Sequence, residues 1–398
     1  MTDMQIDPDD VGRRFCDLVM KGGITSGIVF PKLVARLSGQ YRFRNIGGTS
    51  AGAIAAAAAA AAEFRRATDS ADPGYGFARL EQLAEVLGRR DGEHSRLFAL
   101  FRPEPATRRH FAILEAMLNR KPASNRVLRG ALATVRRFPL AALAGALPGL
   151  ILVTATRGAA PLHVLAIVIA VLVSVAGAML AAVATAAISL ARTLPKQGFG
   201  LARGHVADPD PKDAPALTDW LHAYVQDLAG RDSARPLTFG DLDGVTLDAA
   251  RNIRGIDLQM LTTALSMGRP FSLPLRSEQF YFKAAELALY FPTDVVAWLT
   301  ANPGPRSASV GARDAAMAAL GYLPFPGRAT LPVVVAVRMS LSFPLLLSGV
   351  PLYRYAWEAA AERERDAFAD EPSEPADPHR ASATMAARRE ASEAAFSP

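Results

Sequence analysis

The sequence predicts an α/β fold that is interrupted by a pair of membrane-crossing helices. Two glycine-rich segments near the N-terminus, "KGGITSG" and "GGTSAGA", each follow an apolar stretch typical of a strand and precede a stretch typical of a helix. A repeated order of strand, turn and helix is how an α/β sheet begins. Two long uncharged runs then lie between residues 138 and 190, where the chain is apolar enough to enter a bilayer.

The first two strand–turn–helix units can be placed from local pattern. Residues 15–20, "FCDLVM", predict a short buried strand, and residues 27–37, "GIVFPKLVARL", predict a helix with Pro31 in its early part. "YRFRNIG" predicts the second strand, and the run after Ser50 is built of alanine, the best helix former. Both glycine turns therefore lie between a strand and a helix.

Farther along the chain, the pattern predicts two more strands. Residues 257–266, "DLQMLTTALS", and 331–337, "LPVVVAV", are apolar runs expected to form buried strands. Residues 198–216 are rich in Gly, Pro and Asp and are expected to form a linker. The predicted organisation has four segments: the N-terminal part of the α/β domain (1–125), the hairpin insertion (126–197), the remainder of the domain (198–355) and a polar, disordered tail (356–398).

Composition excludes several classes of protein. The single cysteine, Cys16, rules out an internal disulfide and any CxxC metal or redox site. The net charge of +6 comes from scattered arginines without an aromatic-interleaved basic patch, so nucleic acid is not an expected partner. The N-terminal "MTDMQIDPDD" is acidic and lacks the basic-then-apolar order of a secretory signal.

The two uncharged runs predict a membrane hairpin. Residues 138–156 contain no charge, and in residues 162–190 the only ionisable group is His163. About 20 apolar residues cross a bilayer, so the second run qualifies, whereas Pro139 and Pro148 weaken the first. A pair of buried core helices is the alternative interpretation.

Charge around the hairpin predicts its orientation. Arg157 is the one basic residue in the connecting loop, whereas seven basic residues flank the hairpin: Arg126, Arg129, Arg136, Arg137, Arg192, Lys196 and Arg203. Basic residues are retained on the cytoplasmic side of a membrane. Both halves of the globular part are therefore expected in the cytoplasm.

The second glycine turn has the pattern of a nucleophile elbow. Gly48-Thr49-Ser50-Ala51-Gly52 fits G-x-S-x-G, in which a strained strand-to-helix turn projects the serine hydroxyl and the flanking glycines allow close backbone packing. The following helix directs the positive end of its dipole at the site. Ser50 is thus a candidate nucleophile, and the alternative is an ordinary turn in which Ser50 only caps the helix.

The first glycine turn could supply the oxyanion contacts that such a serine needs. Gly22 and Gly23 follow a strand and allow backbone N–H groups to approach a tetrahedral intermediate closely. A dinucleotide fingerprint fails on spacing, because the glycines fall at 22, 23 and 27. A phosphate-binding P-loop fails as well, because Ile28 and Val29 stand where Lys and Ser or Thr are required.

The two turns together resemble the paired signature of the patatin-like phospholipases. The likeness continues in "LTTALSMGRPFSLP", "FYFKAAELALYFP" and "LPVVVAVRMSLSFPLLLSGVPLY", so it covers roughly 15–64 and 250–353 and points to a bacterial, membrane-associated branch. It implies a sheet layered with helices, a Ser–Asp dyad without histidine, and no metal or cofactor. By this resemblance Ser50 is the nucleophile, Gly22 and Gly23 supply the oxyanion hole, and the substrates are membrane lipids at a bacterial inner membrane.

The dyad aspartate has no evident counterpart. In the family it lies in an Asp-Gly-Gly or Asp-Gly-Ala turn downstream of the last matched segment, whereas here a polar tail follows, and the chain is expected to stop before that turn. Asp91-Gly92 and Asp243-Gly244 come too early, and three tail aspartates lack the glycine: Asp366, Asp370 and Asp377. Two functions stay open, a lipid acyl hydrolase and a catalytically incomplete, membrane-anchored remnant that binds lipid or a partner.

An α/β-hydrolase is a third interpretation of the pentapeptide. That fold needs a histidine after the serine and usually places the elbow after several more strands. The candidates are His205, His222 and His379. The first two lie in or near the predicted linker and the third lies in the tail, so all three are expected to be surface residues.

Overall fold

The computed structural model describes residues 14–23, 26–91, 94–118, 125–155, 160–209, 214–232, 235–276, 280–304 and 311–354. Its strands are β1 (Arg14–Met20), β2 (Tyr41–Thr49), β3 (Arg90–Asp91), β4 (His94–Ser95), β5 (Gly200–Ala202), β6 (Thr246–Asp248), β7 (Ile253–Arg254), β8 (Asp257–Ala264), β9 (Arg269–Leu273), β10 (Tyr281–Phe282), β11 (Leu323–Pro324) and β12 (Leu345–Leu347). Its α-helices are α1 (Ser26–Ser38), α2 (Ala51–Thr68), α3 (Tyr75–Gly88), α4 (Arg96–Ala99), α5 (Arg108–Leu118), α6 (Arg126–Arg137), α7 (Pro139–Ala155), α8 (Ala160–Thr193), α9 (Leu217–Ala229), α10 (Phe239–Asp243), α11 (Ala284–Leu287), α12 (Thr293–Ala301), α13 (Gly311–Ala319) and α14 (Val333–Ser340).

The chain divides into two compact units. The sheet unit takes its described residues from 1–84, 221–341 and 350–398, and the helical unit takes its own from 85–220 and 342–349. The predicted insertion, 126–197, is therefore part of a larger unit that also contains α4, α5, β5 and β12. The predicted tail, 356–398, lies outside the described residues.

The sheet unit is built on four strands in the order β1-β2-β8-β9. The first three run parallel, with Ile46 of β2 opposite Leu18 of β1 and Leu258 of β8, and β9 is added antiparallel at the edge. Crossover helices connect the parallel strands, as parallel pairing requires. The α/β class, both N-terminal strand–helix units and the strand at 257–266 are confirmed.

Helix α2 packs on the middle of this sheet through alanine. Residues 55–62 are all alanine and all buried, so the helix can lie close to β2 and β8 without large side chains between them. Glu63, with no exposed surface, ties α2 to β2 by accepting hydrogen bonds from Arg42 Nε at 2.6 Å and from the Phe43 amide at 3.3 Å. The Arg66 guanidinium also bonds Glu63, so the buried charge is compensated.

Two expectations for the downstream half are wrong. The run 331–337 forms no strand: Pro332 is the N-cap of α14, which packs against α2 and β8 with every residue from Val333 to Met339 buried. A continuous apolar run fits a helix buried all round as well as a strand, so periodicity could not distinguish them. The predicted linker 198–216 contains β5, which pairs in parallel with β12.

The helical unit contains the two predicted spans as a closely packed pair. A Cβ added at Gly145 would lie 2.2 Å from the Gly177 carbonyl oxygen, and one at Gly149 would lie 2.2 Å from the Ser174 hydroxyl. Because the contact on α8 moves backward as α7 moves forward, the two helices are antiparallel. Small residues let the two backbones touch, which is how helices associate in a bilayer.

Only α8 is long and apolar enough to cross a membrane by itself, among the described residues. The qualifying segment is Val164–Thr193, and few of its residues are buried. Helix α7 has 17 residues, about 26 Å at 1.5 Å per residue, against a hydrocarbon core of about 30 Å. It qualifies as a span only together with α6, from which it is bent by 99°.

Candidate active site

Both glycine turns lie at the same edge of the sheet. The first follows β1 and the second follows β2, and Met20 pairs with Gly48 across the two parallel strands. Parallel strands present their carboxyl ends at one edge, which is where open α/β sheets bind their ligands. The chain therefore brings the two predicted motifs together at the edge where chemistry is expected.

Ser50 has the strained backbone that the predicted nucleophile elbow requires. Its dihedral angles are φ 52° and ψ −126°, in a region that residues with a side chain rarely adopt. Its side chain makes no capping hydrogen bond to α2, so the interpretation of Ser50 as an ordinary helix cap has no support. Strain of this kind costs roughly 1–3 kcal/mol and persists where the surrounding structure enforces it.

The flanking glycines supply that enforcement. A Cβ on Gly52 would lie 2.1 Å from the Met20 carbonyl oxygen, and a Cβ on Gly48 would lie 2.5 Å from the Gly52 carbonyl oxygen. Both distances are far below van der Waals contact with backbone atoms that cannot rotate away. The sequence pattern G-x-S-x-G is therefore required sterically here, because β1, β2 and α2 converge on one point.

Gly22 lies directly against Ser50. A Cβ on Gly22 would be 2.7 Å from the Cβ of Ser50 and 3.3 Å from its Oγ. The Gly22 amide donates a hydrogen bond to the Thr49 hydroxyl at 3.2 Å, which is at the long end of the normal range. Gly23 follows in the same turn and is exposed.

Sequence reasoning missed one residue of this site, Ser340. Its hydroxyl accepts a hydrogen bond from the Ser50 amide at 3.0 Å and donates one to the Leu261 carbonyl oxygen at 2.7 Å. Leu261 pairs with Thr49 in the sheet, so Ser340 closes a ring of contacts around the elbow. Ser340 was missed because residues 331–337 were predicted as a strand. A helix there ends at Ser340 and places this residue beside β8.

A buried cation, Arg338, lies two residues before Ser340 in α14, on the other side of the helix. Arg338 has no exposed surface, and this burial lowers the pKa of its guanidinium to about 10, so it remains charged at neutral pH. The ring of Tyr290 lies 5.8 Å from the guanidinium carbon and contributes a cation–π contact.

The early Asp-Gly candidate at 243 is at the wrong edge of the sheet. Asp243 ends α10 rather than lying in a turn, and it forms an ion pair at 2.7 Å with Arg328, which also bonds Asp257. Asp257 is the first residue of β8 and pairs with Asn45 of β2, four residues before Thr49, or about 13 Å at 3.3 Å per residue. Asp243 is therefore held away from Ser50. The side chain of Asp91 and the tail aspartates at 366, 370 and 377 lie outside the described residues.

The expectation that the histidines are surface residues is wrong for two of them. His222 is 4% exposed and its Nε2 lies 2.7 Å from Asp294, whereas Nδ1 of His205 lies 2.6 Å from Asp219. Burial opposes ionisation of Asp294, but the hydrogen bond and charge of His222 outweigh it and lower the pKa of this carboxyl. A carboxylate partner explains the burial of each imidazole without a catalytic role. His379 lies outside the described residues.

Comparison with known proteins gives one relative without a stated reaction. No protein-family model and no solved structure matches the chain. The chain is 36% identical over 355 residues to a curated protein of Rhizobium meliloti (strain 1021) named RpoH suppressor. The match covers 86% of this chain and 53% of the relative, so the chain spans about half of that protein's length.

Proposed function

We propose that the chain is a lipid acyl hydrolase of patatin-like type that works at a membrane surface. The observation that carries the proposal is the backbone of Ser50, held at φ 52° and ψ −126° at the carboxyl edge of parallel strands with Gly22 against it. A residue whose backbone is kept strained by close contacts supports a reactive role, because an ordinary turn would relax. The motif-level likeness to patatin-like phospholipases supports the same reaction.

The chemistry would follow from these positions. The Ser50 Oγ attacks the acyl carbonyl, its proton passes to a general base, and a C–O bond forms while the carbonyl oxygen becomes an oxyanion. The Gly22 and Gly23 amides stabilise that oxyanion, which is a stronger acceptor than the Thr49 hydroxyl at 3.2 Å and would displace it. The tetrahedral intermediate collapses with loss of the protonated alcohol, and water then hydrolyses the acyl-serine.

The rate at which Ser50 is acylated indicates whether a general base accepts the proton of its hydroxyl. In the family that this chain resembles, the base is an aspartate, and loss of a general base slows such a step by about 10²–10⁴. Asp243 is excluded by its position, so the acylation rate of Ser50 distinguishes a complete dyad from an unassisted serine.

Membrane lipids are the proposed substrates because of the helical unit. Helix α8 is long and apolar enough to cross a bilayer, and α7 packs along it through glycine. A hairpin in the inner membrane with basic flanks on the cytoplasmic side would keep the chain attached to a bilayer that contains phospholipid esters.

Labelling with a fluorophosphonate probe tests the proposal. The full chain, purified in detergent, should be labelled at Ser50, and Ser50→Ala should abolish labelling. Ser38→Ala is the matched control, because the Ser38 hydroxyl bonds only locally, to the Ala35 carbonyl oxygen at 2.7 Å. Labelling of wild type and Ser50→Ala to the same extent would refute the assignment of the nucleophile.

A non-catalytic membrane protein is the second candidate. It is favoured by the engagement of Asp243 with Arg328 at the opposite edge of the sheet. It predicts a folded chain that co-purifies with lipid, is not labelled, and whose phospholipid binding is unchanged in Ser50→Ala.

A further inference from the structure

Helix α6 stands at a right angle to the apolar helix that follows it. The two helices are bent by 99° at Phe138, whose amide donates to the Thr134 carbonyl oxygen at 2.9 Å. Phe138 is buried in a small core with Ala142 of α7 and Ala182 of α8, so packing fixes the bend. If α7 and α8 stand along the bilayer normal, α6 lies in the plane of the membrane surface.

The faces of α6 differ sharply in character. Gly130 and Thr134 are buried, and a Cβ on Gly130 would lie 2.8 Å from the Met117 side chain of α5. At 3.6 residues per turn, one arc beside this buried strip is apolar and carries Val127, Leu128, Ala131, Leu132 and Val135. The remaining arc is cationic and carries Arg126, Arg129, Arg136 and Arg137.

The three largest exposed side chains of the apolar arc face solvent, whereas Val135 packs against the Phe138 core. Val127 is 78% exposed, Leu128 is 64% exposed and Leu132 is 49% exposed. Three large apolar side chains exposed on one arc are unfavourable in water and indicate a binding surface. The arginines beside them indicate that the bound surface carries negative charge. A helix with an apolar arc next to a basic arc is suited to the boundary between acyl chains and anionic headgroups.

We propose that α6 is an in-plane anchor that binds anionic phospholipid, with its apolar arc among the upper acyl segments and its arginines on the headgroups. The inference rests on the membrane part of the proposed function and is independent of the chemistry at Ser50. The continuity of α6 with α7 supports it, because the right-angle bend presents the two helices to the bilayer together. Such an anchor would gather acidic lipid beside the chain.

The test places an environment-sensitive fluorophore at Leu128→Cys in a Cys16→Ser background, with the full chain in bilayers. The bilayers contain phosphatidylcholine and phosphatidylglycerol, and nitroxide-labelled forms of either lipid serve as tracers at two depths. We expect quenching by headgroup-proximal nitroxides, little quenching by nitroxides at the acyl terminus, and about fivefold preferential quenching by the phosphatidylglycerol tracer, the effect of roughly one arginine.

Charge variants separate headgroup binding from simple burial. Changing the four arginines of α6 to Gln should reduce the preference for phosphatidylglycerol to about one, whereas changing them to Lys should retain it. The matched reporter is Leu143→Cys on α7, which is 63% exposed and should be quenched by nitroxides deeper in the acyl region.

Other outcomes overturn the inference. If aqueous iodide quenches the fluorophore at 128 while lipid nitroxides quench the one at 143, α6 is not an in-plane anchor, and only the membrane hairpin is supported. Iodide access at both positions would remove the membrane proposal too, without bearing on the labelling of Ser50. Protection from iodide with no quenching by either lipid tracer would assign the surface to a protein partner instead.

Discussion

The elbow at Ser50 (residues 48–52) and the helical hairpin (α7 and α8) use glycine for the same steric purpose and with different results. A Cβ added at Gly52 of α2 would lie 2.1 Å from the Met20 carbonyl oxygen, and a Cβ added at Gly145 of α7 would lie 2.2 Å from the Gly177 carbonyl oxygen of α8. In the hairpin, the glycines join two regular helices, each of which satisfies its own backbone hydrogen bonds. In the elbow, they hold a neighbouring residue, Ser50, in a strained conformation. Close backbone approach alone therefore does not make a functional site. A polar side chain must also be held in a defined position by that approach.

The comparison predicts its largest effect at Gly52. Gly52→Ala places a methyl group on backbone that cannot move cheaply, so we expect Ser50 to shift, fluorophosphonate labelling to fall at least about 100-fold and stability to drop by about 1–3 kcal/mol. Labelling rates and thermal unfolding measure both. Gly88→Ala is the control, because its Cβ would meet nothing within 4 Å and should leave labelling unchanged. Normal labelling of Gly52→Ala would show that the elbow tolerates relaxation.

The hairpin should respond to the same kind of change without loss of chemistry. Gly145→Leu inserts a side chain where α7 and α8 touch, so we expect the helices to separate and the helical unit to lose about 1–3 kcal/mol. Thermal unfolding and proteolysis in detergent should report the loss, and Leu140→Ala, at an exposed position, should not reproduce it. A parallel loss of Ser50 labelling would contradict the distinction between the two regions.

Substitutions at Ser340 measure how much the elbow depends on hydrogen bonds, in addition to the steric contacts of its glycines. Ser340→Ala removes the acceptor of the Ser50 amide and the donor to Leu261, so we expect about 1 kcal/mol less stability and roughly tenfold slower labelling. Ser340→Thr keeps the hydroxyl and should restore both. Hydrogen exchange gives an independent readout: the Ser50 amide should lose protection in the Ala variant alone. Equal protection in both variants would remove Ser340 from the site.

The elbow could be predicted from the sequence further than the residues around it. Gly48, Ser50 and Gly52 lie within a segment of five residues, so the local pattern contains the whole steric requirement. Ser340 is 290 residues away from Ser50 and reaches the elbow because α14 ends there. The valines of α14 are β-branched, and for this reason the sequence predicted a strand. The contact of Gly145 with Gly177 was missed for a related reason. In a run that is apolar throughout, composition predicts a helix but not which side meets another helix.

A stability change that leaves the elbow intact completes the comparison. His222 and the Val295 amide lower the pKa of Asp294 against the effect of burial. The ionised carboxylate therefore stabilises the fold at pH values above 3.8, its ordinary pKa. The contribution is lost as pH falls below that value and through the lowered pKa. We expect Asp294→Asn to unfold at lower temperature than wild type at neutral pH, with the difference shrinking below pH 3.8. Thermal melts across this range measure it, and labelling of Ser50 at neutral pH should be unchanged because the pair does not contact the elbow's hydrogen bonds. A variant whose deficit grew on acidification would assign the stabilisation to another group.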